Sequence, residues 1–394
     1  MLILHDKATL LHETVELLGA KLIPALESPR RIEAIVQAIT AGSDHELIDI
    51  TATPEDQHVT AELAKATHKS DYLEHLENVF DQWRAQGLVA EDESVLPECF
   101  RLHNVAREKL APPKDIYARA GYYAFDMSSG ITRHSWHSII ASAHLVVRAS
   151  HMVLGRQGSS TSKTVETSAQ DIEDPSPKSV LALCRPPGHH CTGSQAGGYC
   201  YINNIALAVT TLRHFSTKKR VRRPSNPHFA ATSLLKFAIL DLDFHHGNGT
   251  QEQFWTDPNV FYASIHGEDE FPYYTGAADE RGPKNNLAYD TTLNLPLKTG
   301  SSFEEYLEKL HIALQAIKNF QADYLLLSLG FDTFHLDPLG KFQIYTEDYK
   351  TMAQAVRTAL KDLPAVIVLE GGYVVDRLGE NLLSFLRGWE EAEK

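Results

Sequence analysis

The ten residues "DLDFHHGNGT" at 241–250 collect aspartates, histidines and glycines directly after the apolar "FAIL". Asp243 and His245 bracket one aromatic residue. Residues two apart along extended chain share a face, so a strand leaving a sheet can aim both side chains at one ion. Asp332 in "GFDTF" also ends an apolar run and supplies a third donor. Catalytic zinc takes three protein ligands, His nitrogen and Asp oxygen among them, and keeps a position for water. Two aspartates and a histidine form a harder, more open set than four thiolates, which suits catalysis better than structural support. Zn²⁺ is the first choice, and Fe²⁺ or Co²⁺ fits the same donors.

Proton carriers stand nearby. His189 and His190 follow "RPPG", and a Pro-Pro-Gly turn at a strand end holds such a pair in place. Each needs a partner to fix its tautomer. Asp241 and Asn248 offer a carboxylate and an amide, and the histidine facing the anion should be the more basic. Tyr373 in "EGGY" follows two glycines and can donate to a developing oxyanion. These parts imply metal-assisted hydrolysis of an amide, with histidines moving the protons. No GxSxG elbow is present, so a covalent serine intermediate is not called for.

These residues need elements that bring them together. Short apolar runs at 180–184, 237–242, 260–265, 324–330 and 365–370 alternate with helical patterns at 203–215, 250–255, 302–320 and 346–360. Such alternation predicts right-handed βαβ crossovers and a three-layer αβα unit around a mostly parallel sheet. Ligands then bind beyond the carboxyl ends of the strands, where "RPPGHH", "DLDFHHGNG", "GFDTF" and "EGGY" all fall. Upstream, 29–40, 61–83 and 130–154 read as helices, whereas 91–118 reads as a long loop. The polar stretches 155–179 and 216–233 read as surface insertions in one domain spanning 1–394.

The composition narrows the class. Lys and Arg number 37 against 51 Asp and Glu, so the net charge of −14 argues against direct nucleic-acid binding and suits cationic ligands. The four cysteines, Cys99, Cys184, Cys191 and Cys200, form no CxxC pair, which excludes a thiolate zinc knuckle. No signal-like or membrane-length apolar run is visible, so a reducing, cytoplasmic setting is expected, with "KKRVRR" at 218–223 as a candidate nuclear signal.

Together "RPPGHH", "GGYCYINN", "ILDLDFHHGNGTQ", "ASIHGEDEFPYYTG", "SLGFDTFHLDP" and "VLEGGY" resemble the zinc-dependent deacetylase superfamily of the arginase-deacetylase fold. The resemblance covers roughly 10 to 390, and within it the chain looks most like the acetylpolyamine amidohydrolases. It implies Asp243, His245 and Asp332 as zinc ligands and His189 and His190 as the base and acid pair. Asp241 would pair with His189 and Asn248 with His190, and Tyr373 would polarise the carbonyl. It further implies structural K⁺ at Asp241, Asp243, His245, Ser264 and Ile265, and a second K⁺ at Phe254, Asp257 and Val260. Gly198, Tyr199 and Phe271 match the walls of a tunnel for an acyl-lysine-like chain, and Glu16 matches an acid that meets a distal ammonium at its mouth. The same branch leads one to expect an acidic residue where Tyr117 stands. The expected substrates are N-acetylated amines such as acetylpolyamines, the alternative being acetyl-lysine in histones or other proteins. A homodimer would narrow the mouth.

Overall fold

The computed structural model describes residues 1–42, 45–101, 111–155, 177–220 and 235–394, with the side chains of 217–220 excepted. Most of both polar insertions, and half of the basic run at 218–223, therefore lies outside the described residues.

The strands are β1 (Leu2–His5), β2 (Val15–Leu18), β3 (Lys21–Pro24), β4 (Glu46–Asp49), β5 (Ser179–Ala182), β6 (Phe237–Asp241), β7 (Val260–Gly267), β8 (Thr292–Leu297), β9 (Tyr324–Leu329) and β10 (Ala365–Leu369). Eight form one sheet in the order β4-β1-β5-β10-β9-β6-β7-β8, and every pairing is parallel. β2 and β3 make a separate antiparallel hairpin. The central strands are buried on both faces, which is why they read as unbroken apolar runs.

The helices are α1 (Arg30–Thr40), α2 (Pro54–Ala64), α3 (Ser70–Ala85), α4 (Ile116–Tyr122), α5 (Ser135–Val153), α6 (Asn204–Arg220), α7 (Asn248–Phe254), α8 (Phe303–Phe320), α9 (Thr346–Ala359) and α10 (Val375–Glu393). Residues of α1, α8, α9 and α10 share one core with one face of the sheet, and residues of α5 and α6 share another with the opposite face. A third cluster joins α3, α4 and α5 to the chain at 191–202. Local signals mark some ends. Ser302 caps α8 in a reciprocal bond with Glu305, and Asp115 accepts the Tyr117 and Ala118 N–H groups to start α4.

The expected three-layer parallel architecture is present. The structure adds α4, which begins in the last three residues of the segment read as a loop, and α10 at the C-terminal end. It also adds β1, β4 and β8, which extend the sheet on both sides. No helix among the described residues is long and apolar enough to cross a membrane.

Candidate active site

β5, β6, β9 and β10 are neighbours in the sheet, so the loops that leave their carboxyl ends converge. Asp243, His245 and Asp332 are all buried, and one donor atom from each lies within 4.8 Å of the others. His245 Nδ1 stands 2.8 Å from Asp332 Oδ2 and 3.4 Å from Asp243 Oδ1. The remaining oxygens are tied to backbone. Phe244 N donates to Asp332 Oδ1 at 2.8 Å, and Gly371 N donates to Asp243 Oδ2 at 2.8 Å.

The donor set fits a divalent cation. Two carboxylates share a dry site, so burial and the Asp243 charge raise the Asp332 pKa, while His189 and His245 help hold that of Asp243 low. A cation between them relieves that repulsion. Gly371 makes room for the pair: a Cβ there would stand 2.5 Å from Asp332 Oδ2 and 2.7 Å from Asp243 Oδ2.

The histidine pair divides as its partners require. His189 Nδ1 lies 3.1 Å from Asp241 Oδ2, which also accepts the Tyr262 hydroxyl at 3.1 Å. Burial pulls the His189 pKa down, but Asp243 and Asp241 overcome it and push the value up to about 10. His190 Nδ1 lies 2.8 Å from Asn248 Oδ1. Burial and the neighbouring His189 and His245 drive its pKa well below the ordinary value, so it is the neutral member. The expected pairing of Asp241 with His189 and Asn248 with His190 is the one present.

Tyr373 lines the same cavity, and its ring lies 5.6 Å from that of Tyr199. Its turn is fixed from two sides. Asp337 accepts the Tyr373 N–H at 2.7 Å. Arg31, buried on α1, donates to Gly372 O at 2.6 Å and to Glu370 O at 2.5 Å, and its guanidinium stands 5.1 Å from the Tyr373 ring centre. Glu27 binds both Arg31 and Arg185, at 2.7 and 3.0 Å.

Glu370 joins the histidine loop to the tyrosine turn. It is fully buried, and its Oε2 accepts the N–H groups of Gly188 and His189 at 2.8 and 3.2 Å. Ser328 Oγ donates to its other oxygen at 3.0 Å. The sequence reading did not single out Glu370, Arg31 or Asp337. For Glu370 a signal was present: Pro186 and Pro187 carry no N–H, so the first backbone donors after Arg185 belong to Gly188 and His189. Those donors need an acceptor where the strands part.

A cavity of about 450 Å³ opens above this floor. Gly198, Tyr199 and Phe271 line it as expected, and Phe125, not singled out, faces Phe271 with ring centres 6.2 Å apart. Gly198 has φ +55°, and a Cβ there would stand 2.3 Å from the His190 ring, so only glycine lets the wall pass this close. Glu16 lines the cavity too, but it is buried. It accepts the Tyr199 hydroxyl at 2.6 Å and the Leu26 N–H at 2.8 Å. Tyr117 does not line it; its ring packs 4.7 Å from Trp83 on α3. The position expected to carry a second mouth acid is thus turned to another cluster.

Of the residues expected to hold K⁺, Asp241, Asp243 and His245 belong to the floor, and Ser264 Oγ lies 2.8 Å from His266 Nδ1 on β7, beside Ile265. Phe254, Asp257 and Val260 form a turn in which the Phe254 and Asp257 carbonyls accept the N–H groups of Asp257 and Val260 at 3.0 and 3.3 Å.

The histone deacetylase domain matches residues 25–389. The chain is 32% identical to acetylpolyamine amidohydrolase 2 of Pseudomonas aeruginosa, covering 98% of this chain and 97% of that protein. It is 33% identical to the acetylpolyamine amidohydrolase of Mycoplana ramosa, covering 95% and 94%. Among solved structures, an acetylpolyamine aminohydrolase from Burkholderia pseudomallei superposes with a TM-score of 0.79 at 29% identity, over 100% of this chain and 99% of that one.

Proposed function

The chain belongs to the histone deacetylase domain family, and on that footing we propose that it hydrolyses the acetyl amide of small N-acetylated amines, acetylpolyamines among them. One observation carries the reading: Asp243, His245 and Asp332 converge with His189, His190 and Tyr373 at the floor of one cavity. Held by those three ligands, a divalent cation, Zn²⁺ before Fe²⁺ or Co²⁺, would polarise the amide carbonyl and lower the pKa of the attacking water.

The chain's own groups supply the rest. His190 presents a proton on Nδ1 to Asn248 and keeps Nε2 free, so Nε2 takes the proton of the water and later returns it to the leaving amine. His189 keeps its Nδ1 proton on Asp241, and its ring, 4.0 Å from that of His190, is held beside the reacting centre. The Tyr373 hydroxyl donates to the oxygen that gains charge. Tyr199, Phe271 and Phe125 enclose the alkyl chain and exclude water. Structural K⁺ belongs to this reading at Asp241, Asp243, His245, Ser264 and Ile265, and at Phe254, Asp257 and Val260. So does a homodimer that narrows the mouth.

The test is a comparison of kcat/KM on Zn²⁺-loaded protein for acetylputrescine, acetylcadaverine and acetylspermidine against an acetyl-lysine peptide. Turnover of the small amines above the peptide is expected. Turnover of the peptide alone would make the chain a protein lysine deacetylase.

A further inference from the structure

We propose that Tyr262 is a positioning residue for the histidine pair, its one hydroxyl tying the support of His189 to the support of His190. The inference rests on the deacetylase reading and deepens it, whichever acetyl amide the chain prefers. The two histidines hold different protons, so their rings, 4.0 Å apart and inclined at 47°, must keep one mutual placement. Their supports, however, come from different elements. Asp241 ends β6 and holds His189, whereas Asn248 opens α7 and holds His190.

Tyr262 stands where those elements meet. It lies on β7, opposite Ile239 of β6 in the parallel register, and is 1% exposed. Its hydroxyl oxygen is 3.1 Å from Asp241 Oδ2 and 3.2 Å from the Gly247 carbonyl oxygen. A tyrosine hydroxyl carries one hydrogen, so the two acceptors share it in a three-centre bond or take it in turn. Asp241 Oδ2 is the oxygen that faces His189 Nδ1. Gly247 directly precedes Asn248, and its carbonyl also accepts the Gln251 N–H at 3.0 Å in the first turn of α7. On one side the hydroxyl reaches the carboxylate that holds His189. On the other it reaches the peptide that carries Asn248.

The junction is closely fitted. A Cβ on Gly247 would stand 2.3 Å from Asp241 Oδ2, 2.6 Å from the Tyr262 hydroxyl oxygen and 3.1 Å from His189 Nδ1. β7 is bonded to β6 on one side and β8 on the other, so the hydroxyl is presented from the interior of the sheet. Removing it strands no acceptor. Asp241 Oδ2 keeps His189, Asp241 Oδ1 keeps the Asp243 N–H at 3.2 Å, and the Gly247 carbonyl keeps the Gln251 N–H. What is lost is the tie between the two supports.

The experiment uses the Zn²⁺-loaded full chain and acetylputrescine, or an acetyl-lysine peptide if that is what the parent hydrolyses. Tyr262→Phe should lower kcat about tenfold, the scale of a displacement under about 1 Å at a reacting group, while KM stays within about twofold. Its metal content should match the parent's. Tyr306→Phe is the control, because Tyr306 is also fully buried and its hydroxyl has no hydrogen-bond partner among the described residues. It should leave kcat within about twofold of the parent. In an Asn248→Ala background His190 has already lost its support, so adding Tyr262→Phe should cost at most about threefold more. An unchanged kcat in Tyr262→Phe, or an effect confined to KM, would overturn the proposal while leaving deacetylation standing. So would an equal loss in Tyr306→Phe, or a full tenfold loss repeated in the Asn248→Ala background. A parent that hydrolyses neither substrate would remove the underlying reading and the proposal with it.

Discussion

The floor of the cavity and its mouth are made from different kinds of chain. The floor is the set of loops leaving β5, β6, β9 and β10, and its histidines and carboxylates are buried and held by named partners. His189 is held by Asp241, His190 by Asn248, and Asp332 by the Phe244 N–H. The mouth comes from the β2–β3 hairpin and from loops near Phe100, Met127, Tyr273 and Leu339, and several of its side chains stand open to solvent. A rigid sheet end fixes reacting atoms, whereas a rim assembled from separate loops sets what may approach them. Changes at the floor should therefore act on kcat and metal content, and changes at the mouth on KM and preference.

The largest effects are expected at the floor. Tyr373→Phe removes the hydroxyl and little else, so kcat should fall about 10²- to 10³-fold, the cost of losing one oxyanion donor. KM, metal content and melting temperature should stay near those of the parent. Asp332→Asn keeps an oxygen to accept the Phe244 N–H but removes a ligand charge. Bound metal, measured by elemental analysis after dialysis, should then fall well below one per chain. A Tyr373→Phe protein altered in KM alone would erase the distinction between the two regions.

These floor residues were also the legible ones. The strands that carry them are buried on both faces and appear as apolar runs, and each run ends abruptly on polar residues and glycine. β1 and β4 are only four residues long and bear charged or polar residues at their ends, so they fall below what an apolar run can reveal. β8 alternates at the sheet edge and includes Pro296. α10 carries a periodic apolar signal in Leu378, Leu382, Phe385 and Trp389, so this helix is legible in the sequence as well. The mouth was hardest to read. That Glu16 spends its carboxylate on Tyr199, and that Tyr117 turns to Trp83, depends on contacts between segments far apart in the chain.

Glu370 sharpens the comparison with an intermediate effect, since it belongs to the floor without touching substrate. Its carboxylate accepts from Gly188, His189 and Ser328. Glu370→Ala would strand two buried N–H donors, at a cost of about 1–3 kcal/mol each, and would free the histidine loop. Its kcat should fall about tenfold or more with KM little changed, and its melting temperature should drop. Glu370→Gln can keep one oxygen on both N–H groups while its amide donates to Ser328. It should recover most of kcat and most of the lost stability, since the role assigned is placement. A Gln variant as poor as the Ala variant would assign the charge itself a part in the reaction.

The smallest effect reaches the mouth through its support and is read as a pH dependence. His75 on α3 packs in the third cluster with its ring 4.7 Å from that of Tyr123, two residues before the tunnel wall at Phe125. Burial, with Arg119 adding, lowers its pKa from 6.5 to about 3. Between those values the unfolded chain takes up a proton at this position and the folded chain does not. Stability from His75 is thus complete above pH 6.5 and declines as pH falls, by at most about 1.4 kcal/mol per pH unit. His75→Phe keeps a ring of similar shape and removes the proton site. Its melting temperature should fall less steeply from pH 7 to pH 5 than that of the parent. A residual slope should persist, because burial also lowers the pKa of His68 and His266 to about 4. An unchanged slope in His75→Phe would mean that His75 meets solvent, and that the cluster under the mouth is looser than the floor beside it.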